Sequence, residues 1–380
     1  MDFKEIAYNS PLISAGVKKD FVAVDSIESG LLQTIHTEDP LISGFGEILN
    51  MKQVHQSFFY DTFALDFENS RKMIKISYIT GTDSIGMEKI AISNLPTGVS
   101  GLSLVSPTVI SSNTGELPHY LCTTFENGYS FEDFDSDDLN YNLGTFCNTL
   151  DTIHESSVDN LPTLSDMHDI HASVVGFIEE DIDIESNMVT YFGFSAFDIE
   201  NILKKNKEFI DQNYTVSTNV FSHFDIKKSS ILYRDDMIKI INFENSYCLD
   251  LFTSLQKTAY NLNFNYAKNY LINFLKKYFK SSDIVSSFNE KTFIAKYFEK
   301  EKVNALIIAN DLISRHLFLI ATEGLSDLEK FYQNYEIYKQ VKPFLLEMHP
   351  EHTESFQQMF MYMFPNYVEK ERQYEEIEEA

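Results

Sequence analysis

The densest run of side chains able to do chemistry is Ser222-His223-Phe224-Asp225-Ile226-Lys227-Lys228-Ser229-Ser230-Ile231-Leu232. It is followed by Ile240-Ile241-Asn242-Phe243-Glu244 and then by Asp250. A second candidate is Asp166-Met167-His168-Asp169-Ile170-His171, where two imidazoles at i,i+3 have a spacing that can bind a metal on a helix. No third ligand is signalled there, so a structural role is the plainer reading. His349 and His352, bracketing Pro350-Glu351, read as a helix-start turn. Lys75, taken alone on a β-like segment, reads as a surface lysine.

The elements that must position these residues change in texture along the chain. From Phe58 to Glu126, short β-rich segments are separated by turn residues: Phe58–Leu65, Met73–Tyr78, Val105–Ser111 and Tyr120–Phe125. One helix-like stretch, Gly86–Asn94, interrupts them. After Asp138 apolar residues recur three and four apart, which predicts helices over Leu139–His154, Ser165–Glu179, Phe197–Gln212 and most of Leu249–Tyr367. Ser195 and Ser326 stand at N-cap positions, the second with Glu329 as a capping-box partner. Ser229–Tyr233 and Met237–Phe243, joined by Arg234-Asp235-Asp236, carry a hairpin signal inside the helical half. Leu31–Ile35 suits either strand or helix, and Gly44-Phe45-Gly46 suits a turn. The tail Glu369–Ala380, with six Glu, reads as a solvated end.

The run from Ser222 to Leu232 resembles the catalytic loop of the aminoglycoside phosphotransferase and choline kinase family: His-x-Asp, four residues, Asn, then Ile-Leu. Ile240–Glu244 resembles the family's Ile-Asp-Phe-Glu segment, and Asp250 its next acidic residue. Met73-Ile74-Lys75-Ile76 looks like the third strand of the small lobe, with Glu88, thirteen residues on, as the ion-pair partner of Lys75. Tyr120–Thr124 running into Phe125-Glu126-Asn127-Gly128 looks like the interlobe hinge that meets adenine. Leu143-Gly144, Leu150 and Ile153-His154 resemble a large-lobe helix. The resemblance covers roughly Phe58 to Leu255 and implies a bilobal α+β protein-kinase-like fold. It implies an N-terminal extension over 1–45, a β-rich nucleotide lobe over 46–126, a helical lobe over 127–368 and an acidic tail over 369–380.

The resemblance also implies roles. Asp225 would accept or orient the proton of an attacking hydroxyl, and His223 would hold the loop. Lys75, Glu88, Phe125 and Glu126 would meet ATP, while Ser230 and Asn242 fall where Mg²⁺ ligands stand. Phosphoryl transfer relies chiefly on positioning and charge neutralisation. Here the chain departs from the family, with Ser230 for Asn and neutral Asn242 for the bridging Asp. At an effective dielectric of ~20, one unit charge at a few Å is on the order of several kcal/mol. Rate losses of roughly a thousandfold or more follow if Mg²⁺ is required. Glu244 reads as a carboxylate bracing the loop, one that could partly compensate for Asn242.

Composition bounds the partners. The 380-residue chain is 43% hydrophobic, and its formal net charge of −27 argues against binding nucleic acid. The charge suits a cationic small molecule or a basic protein partner, and it also serves solubility alone. Cys122, Cys147 and Cys248 have no metal-like spacing and read as reduced thiols of a cytoplasmic protein. No secretion signal and no apolar run of membrane-spanning length is seen. The paired substitutions favour a pseudokinase or weakly active relative serving as a binding or structural module, with ATP and Mg²⁺ use weakened or lost. The alternative is an active ATP-dependent phosphotransferase acting on a hydroxyl of a cationic small molecule.

Overall fold

The computed structural model describes residues 26–56, 60–77, 84–98, 103–115, 118–131, 136–180, 186, 188–189, 192–323 and 334–363. Its elements in chain order are α1 (Ser26–Glu38), α2 (Pro40–Ser43), β1 (Asn50–Gln56), β2 (Asp61–Phe67), β3 (Ser70–Ser77), α3 (Ser84–Ser93), β4 (Val109–Asn113), β5 (His119–Thr124), β6 (Tyr129–Ser130) and α4 (Ser136–His154). Next come α5 (Leu164–Glu180), α6 (Ala196–Asn213), β7 (Asn219–Ser222), β8 (Ile231–Arg234), β9 (Met237–Ile240) and β10 (Tyr247–Asp250). The rest is helical: α7 (Leu251–Asn261), α8 (Lys268–Ser281), α9 (Glu290–Glu299), α10 (Glu301–Glu323), α11 (Tyr335–Met348) and α12 (Thr353–Met363). The chain divides into two compact units, one of Met1–Leu161 with Phe221–Tyr247, the other of Pro162–Val220 with Cys248–Ala380.

The first unit is built on an antiparallel sheet of order β1-β2-β3-β5-β4. Strand side chains alternate faces. Phe63, Leu65 and Phe67 of β2 and Ile74 and Ile76 of β3 therefore share one face, which they bury against Leu32 and Ile35 of α1. Leu31–Ile35 lies in this helix, its apolar positions three apart. Asp39 ties the next turn down, capping α2 through the Leu41 and Ile42 N–H groups and accepting from the Ser111 and Tyr120 hydroxyls. The opposite face of β3 presents Lys75.

Two strand boundaries differ from the sequence reading. Among the described residues of the Phe58–Leu65 segment, Tyr60 stands before the strand, which runs from Asp61 on to Phe67; Ser57–Phe59 lie outside the described residues. The Val105–Ser111 segment becomes strand only at Val109. Ser103 accepts from the Ser106 N–H and hydroxyl, and Pro107 has no N–H to give a ladder, so the chain turns there. The Val105 carbonyl instead accepts from Ile240 N at 2.8 Å. Strand β1 escaped notice because Asn50, Lys52, Gln53 and Gln56 make it polar, as an edge strand permits.

A second small sheet, β6-β8-β9, carries the predicted hairpin. Asp235 and Asp236 both take positive φ, 51° and 61°, the pattern a two-residue hairpin turn requires. Gly128 just before β6 sits at a close approach to the hairpin. A Cβ there would lie 3.1 Å from the Tyr233 carbonyl oxygen and 3.2 Å from Leu232 Cβ.

In the second unit α10 is enclosed by α5, α6, α7 and α11, and Ala305 to Ala309 are fully buried. A helix buried on all sides must pair its polar groups internally. Asn304 accepts from Thr253 at 2.8 Å, and Asn310 accepts from Asn206 at 2.8 Å. Asp311 is buried between Lys257 at 3.3 Å and Arg315 at 2.9 Å, and these cations overcome burial to pull its carboxyl down to about 2. Asp250 caps α7 and accepts from Ser217 N and Lys300 Nζ. Ser195 forms a capping box with Asp198, whereas Ser326–Glu329 lies outside the described residues. His168 and His171 stand buried on α5 with ring centroids 6.1 Å apart. Among the described residues no helix is long and apolar enough to cross a membrane.

One buried acid on the α1 face of the sheet generates a prediction. Asp61 is fully buried, neither oxygen meets a donor at bonding geometry, and burial, then Glu28, raises its carboxyl to about 7. A raised carboxyl pKa means the folded state holds its proton longer than the unfolded chain. Stability should therefore fall as pH climbs from the ordinary carboxyl range to about 7, then level off. Asp61→Asn should raise the melting temperature by several degrees at pH 8 and change it little at pH 4, measured by thermal unfolding at both.

Candidate functional site

Lys75 owes its setting to its strand. On β3 it stands opposite Thr62 of β2 and Leu121 of β5, with buried Ile74 and Ile76 on either side aimed at the other face. Its stem is thus carried into the interior, where an ammonium must find anions. Helix α3 supplies Glu88, whose Oε2 lies 2.6 Å from Lys75 Nζ. The short turn Phe243–Asn245 packs on that helix, and Phe243 N donates to the other Glu88 oxygen at 3.3 Å.

The same turn delivers two more acceptors. Glu244 Oε2 stands 3.2 Å from Lys75 Nζ, and Lys75 also donates to Asn242 Oδ1 at 3.4 Å. Asn242 reaches this position in the left-handed region, φ 66°, ψ 65°. Asn and Asp both tolerate that conformation, so the backbone does not choose between them and the difference is one of charge. Tyr60, just before β2, completes the enclosure. Its hydroxyl donates to Glu244 Oε1 at 3.0 Å and its ring centroid lies 4.6 Å from Lys75 Nζ.

These contacts set the electrostatics. Burial works against the Lys75 ammonium, yet Glu244 and Glu88 outweigh it and hold its pKa well above the lysine norm. Burial also acts most strongly on both carboxyls. It leaves Glu88 raised, while at Glu244 the attraction of Lys75 prevails and brings the value down to about 2.

The His-x-Asp loop is fixed by its histidine. His223 Nε2 donates to the Ile241 carbonyl at 2.9 Å, which leaves Nδ1 to accept the Asp225 N–H at 3.3 Å. Burial lowers the His223 pKa, consistent with that neutral tautomer, and its ring packs on Phe243 at 4.6 Å between centroids. Between them Phe224 takes φ 57°, an uncommon conformation for a bulky residue that the surrounding bonds enforce. Asp225 lies 3.3 Å from Lys227. Ser230 is buried at the base of the hairpin, where its carbonyl accepts from Ile241 N at 3.0 Å.

At the predicted hinge, Glu126 accepts from the Thr124 hydroxyl at 2.7 Å and pairs with Lys239 at 2.8 Å. The Phe125 ring carries Arg71, whose Cζ is 5.1 Å from its centroid. His154, at the end of α4, is buried and burial pushes its pKa down to about 3.

The structure thus brings Lys75, Glu88 and Asn242 into one contact set, and places His223, Asp225 and Ser230 on one loop. Phe125 and Glu126 stand apart, engaged with Arg71 and Lys239. Sequence reading missed Tyr60 and the Lys75–Glu244 pair. Tyr60 stands two residues before Thr62, the partner of Lys75 across the ladder, so the period-two pattern places both on one face. Nothing local announces Glu244, which is 169 residues from Lys75.

No family model matches the chain, and no curated protein matches its sequence. Solved structures do. An ethanolamine kinase from Plasmodium vivax matches with a TM-score of 0.59 at 10% identity, over 87% of this chain and 93% of that one. A choline/ethanolamine kinase family protein from Mesorhizobium loti gives 0.52 at 13% identity, over 88% and 99%. A thermostable mutant of an aminoglycoside phosphotransferase, in a ternary complex with AMP-PNP and hygromycin B, gives 0.52 at 11% identity, over 82% and 98%. At these identities the likeness establishes architecture alone. With its N-terminal antiparallel sheet and mostly helical C-terminal part, the chain has the protein-kinase-like fold.

Proposed function

We propose that this chain is a pseudokinase of the aminoglycoside phosphotransferase and choline kinase type, a fold kept as a binding or structural module with nucleotide chemistry weakened or lost. One observation carries the reading: the Lys75 ammonium, the group that would meet nucleotide phosphates, is enclosed by Glu88, Glu244 and Asn242 under the Tyr60 ring.

The donors fit Mg²⁺ poorly. A hard dication needs anionic oxygens free to turn toward it. Asn242 is neutral and its Oδ1 faces an ammonium, while the Glu244 oxygens are engaged by Lys75 and Tyr60. The cations of the site are also matched: Lys75 and Lys227 meet Glu88, Glu244 and Asp225, which leaves one negative charge in excess. A polyphosphate would enter against that excess.

A second reading is an active phosphotransferase to a hydroxyl of a cationic small molecule, with Asp225 orienting the hydroxyl. The loop geometry favours it, since His223 holds the Asp225 backbone as a catalytic loop requires. The reduced thiols suit a cytoplasmic setting for either reading. The division at the hinge, 46–126 against 127–368, belongs to this proposal too.

Calorimetric titration of the full chain with ATP, with and without Mg²⁺, separates the two. The pseudokinase reading expects no binding tighter than ~1 mM. Glu244→Gln removes the excess charge and frees one side of Lys75, so this variant should gain ATP affinity at least about tenfold. Micromolar binding of Mg-ATP by the unmodified protein, with turnover abolished by Asp225→Asn, would refute the pseudokinase.

A further inference from the structure

Asn127-Gly128 is the one Asn-Gly pair in the sequence. Asn127 is exposed, and the pair lies outside helix and strand, between β5 and β6. The side-chain amide carbon of an asparagine can be attacked by the backbone nitrogen of the next residue. Glycine permits this best, because no Cβ hinders the nitrogen and its backbone reaches conformations closed to other residues.

Packing favours glycine at this very place. A Cβ on residue 128 would press on the Tyr233 carbonyl oxygen at 3.1 Å and on Leu232 Cβ at 3.2 Å. On one side of the pair the chain is anchored, since Glu126 accepts from the Thr124 hydroxyl and pairs with Lys239 at 2.8 Å. On the other side it gives way easily. Strand β6 is only Tyr129–Ser130, at the edge of the β6-β8-β9 sheet. Few hydrogen bonds must open for the pair to reach the geometry of attack.

Two described asparagines provide comparison, Asn69 and Asn245, each followed by serine. Asn69 stands in the turn before β3, and Asn245 ends the Phe243–Asn245 turn. In both pairs the attacking residue carries a Cβ. Ser246 is also buried, with its hydroxyl donating to the Phe243 carbonyl at 2.8 Å.

We infer that Asn127 is a site of spontaneous covalent modification, deamidating through a cyclic imide to aspartate and isoaspartate. The Gly128 nitrogen, its proton taken by hydroxide, bonds to Asn127 Cγ. The Cγ–Nδ2 bond breaks, and the amide nitrogen leaves as ammonia with a proton from water. Water then adds to either imide carbonyl and breaks its bond to nitrogen, so the sum is water consumed and ammonia released. Either product adds a carboxylate next to Glu126. The isoaspartyl product also routes the main chain through the side chain, which inserts a methylene directly before Gly128. That shifts Gly128 from its fit against Tyr233 and loosens β6 on β8. None of these steps involves Lys75 or Asp225, so the chemistry is independent of the pseudokinase reading.

Ageing the full chain at mildly alkaline pH, followed by peptide mapping by mass spectrometry, tests it. Deamidation at Asn127 should outpace that at Asn69 and at Asn245 by at least about tenfold. Its rate in the folded chain should lie within about tenfold of its rate in urea. Protein isoaspartate methyltransferase should label the aged protein, and Asn127→Gln should lower that label at least about fivefold. Residue 127 is exposed, so this variant should fold, checked by its melting curve. Amide hydrogen exchange at Tyr129 should be faster in the aged parent than in the aged variant. The site is overturned if Asn127 misses either rate comparison or if the label survives in the variant. Unchanged exchange at Tyr129 would overturn the loosening of β6.

Discussion

A buried ammonium shared by two carboxylates organises the first unit. Removing Lys75 from water is costly, and only close anions with further hydrogen bonds offset that cost. Glu88 and Glu244 meet it at 2.6 and 3.2 Å, and each carboxylate has a second anchor, in Phe243 N and the Tyr60 hydroxyl. The contact joins β3, α3 and the segment after the hairpin, which lie far apart in sequence.

That constraint reaches the His-x-Asp loop. The Phe243 N–H is held by Glu88, the Phe243 ring supports His223, and His223 fixes both Ile241 and Asp225. The loop is therefore braced from the Lys75 cluster. On the pseudokinase proposal, a site braced this way would keep its shape without phosphates or a dication, because its ion pairs are internal. Fold and activity are separable for this reason.

Sequence legibility followed the range of the interactions. Helices α4, α5 and α6 were readable to within a few residues because their periodicity is local, and Ser195 announced its cap. The hairpin was readable because Asp235 and Asp236 tolerate positive φ. Strand β1 was hidden by its polar edge, and the start of β4 by a hydroxyl network at Ser103 and Ser106. For the site, the chain order of Lys75, Glu88 and Asp225 was legible by resemblance to a family. The turn of Glu244 and Asn242 onto Lys75 was not, since it depends on the left-handed backbone at Asn242 and on packing of the Phe243–Asn245 turn against α3.

The most direct test of the account is a double-mutant cycle between Lys75→Met and Glu244→Gln, read by urea unfolding without ligand. If the ammonium is held internally as described, the two changes couple by ~1–3 kcal/mol, and the double variant is more stable than the sum of the singles implies. Additivity within ~0.5 kcal/mol would show that Lys75 and Glu244 do not stabilise one another, and would contradict the account.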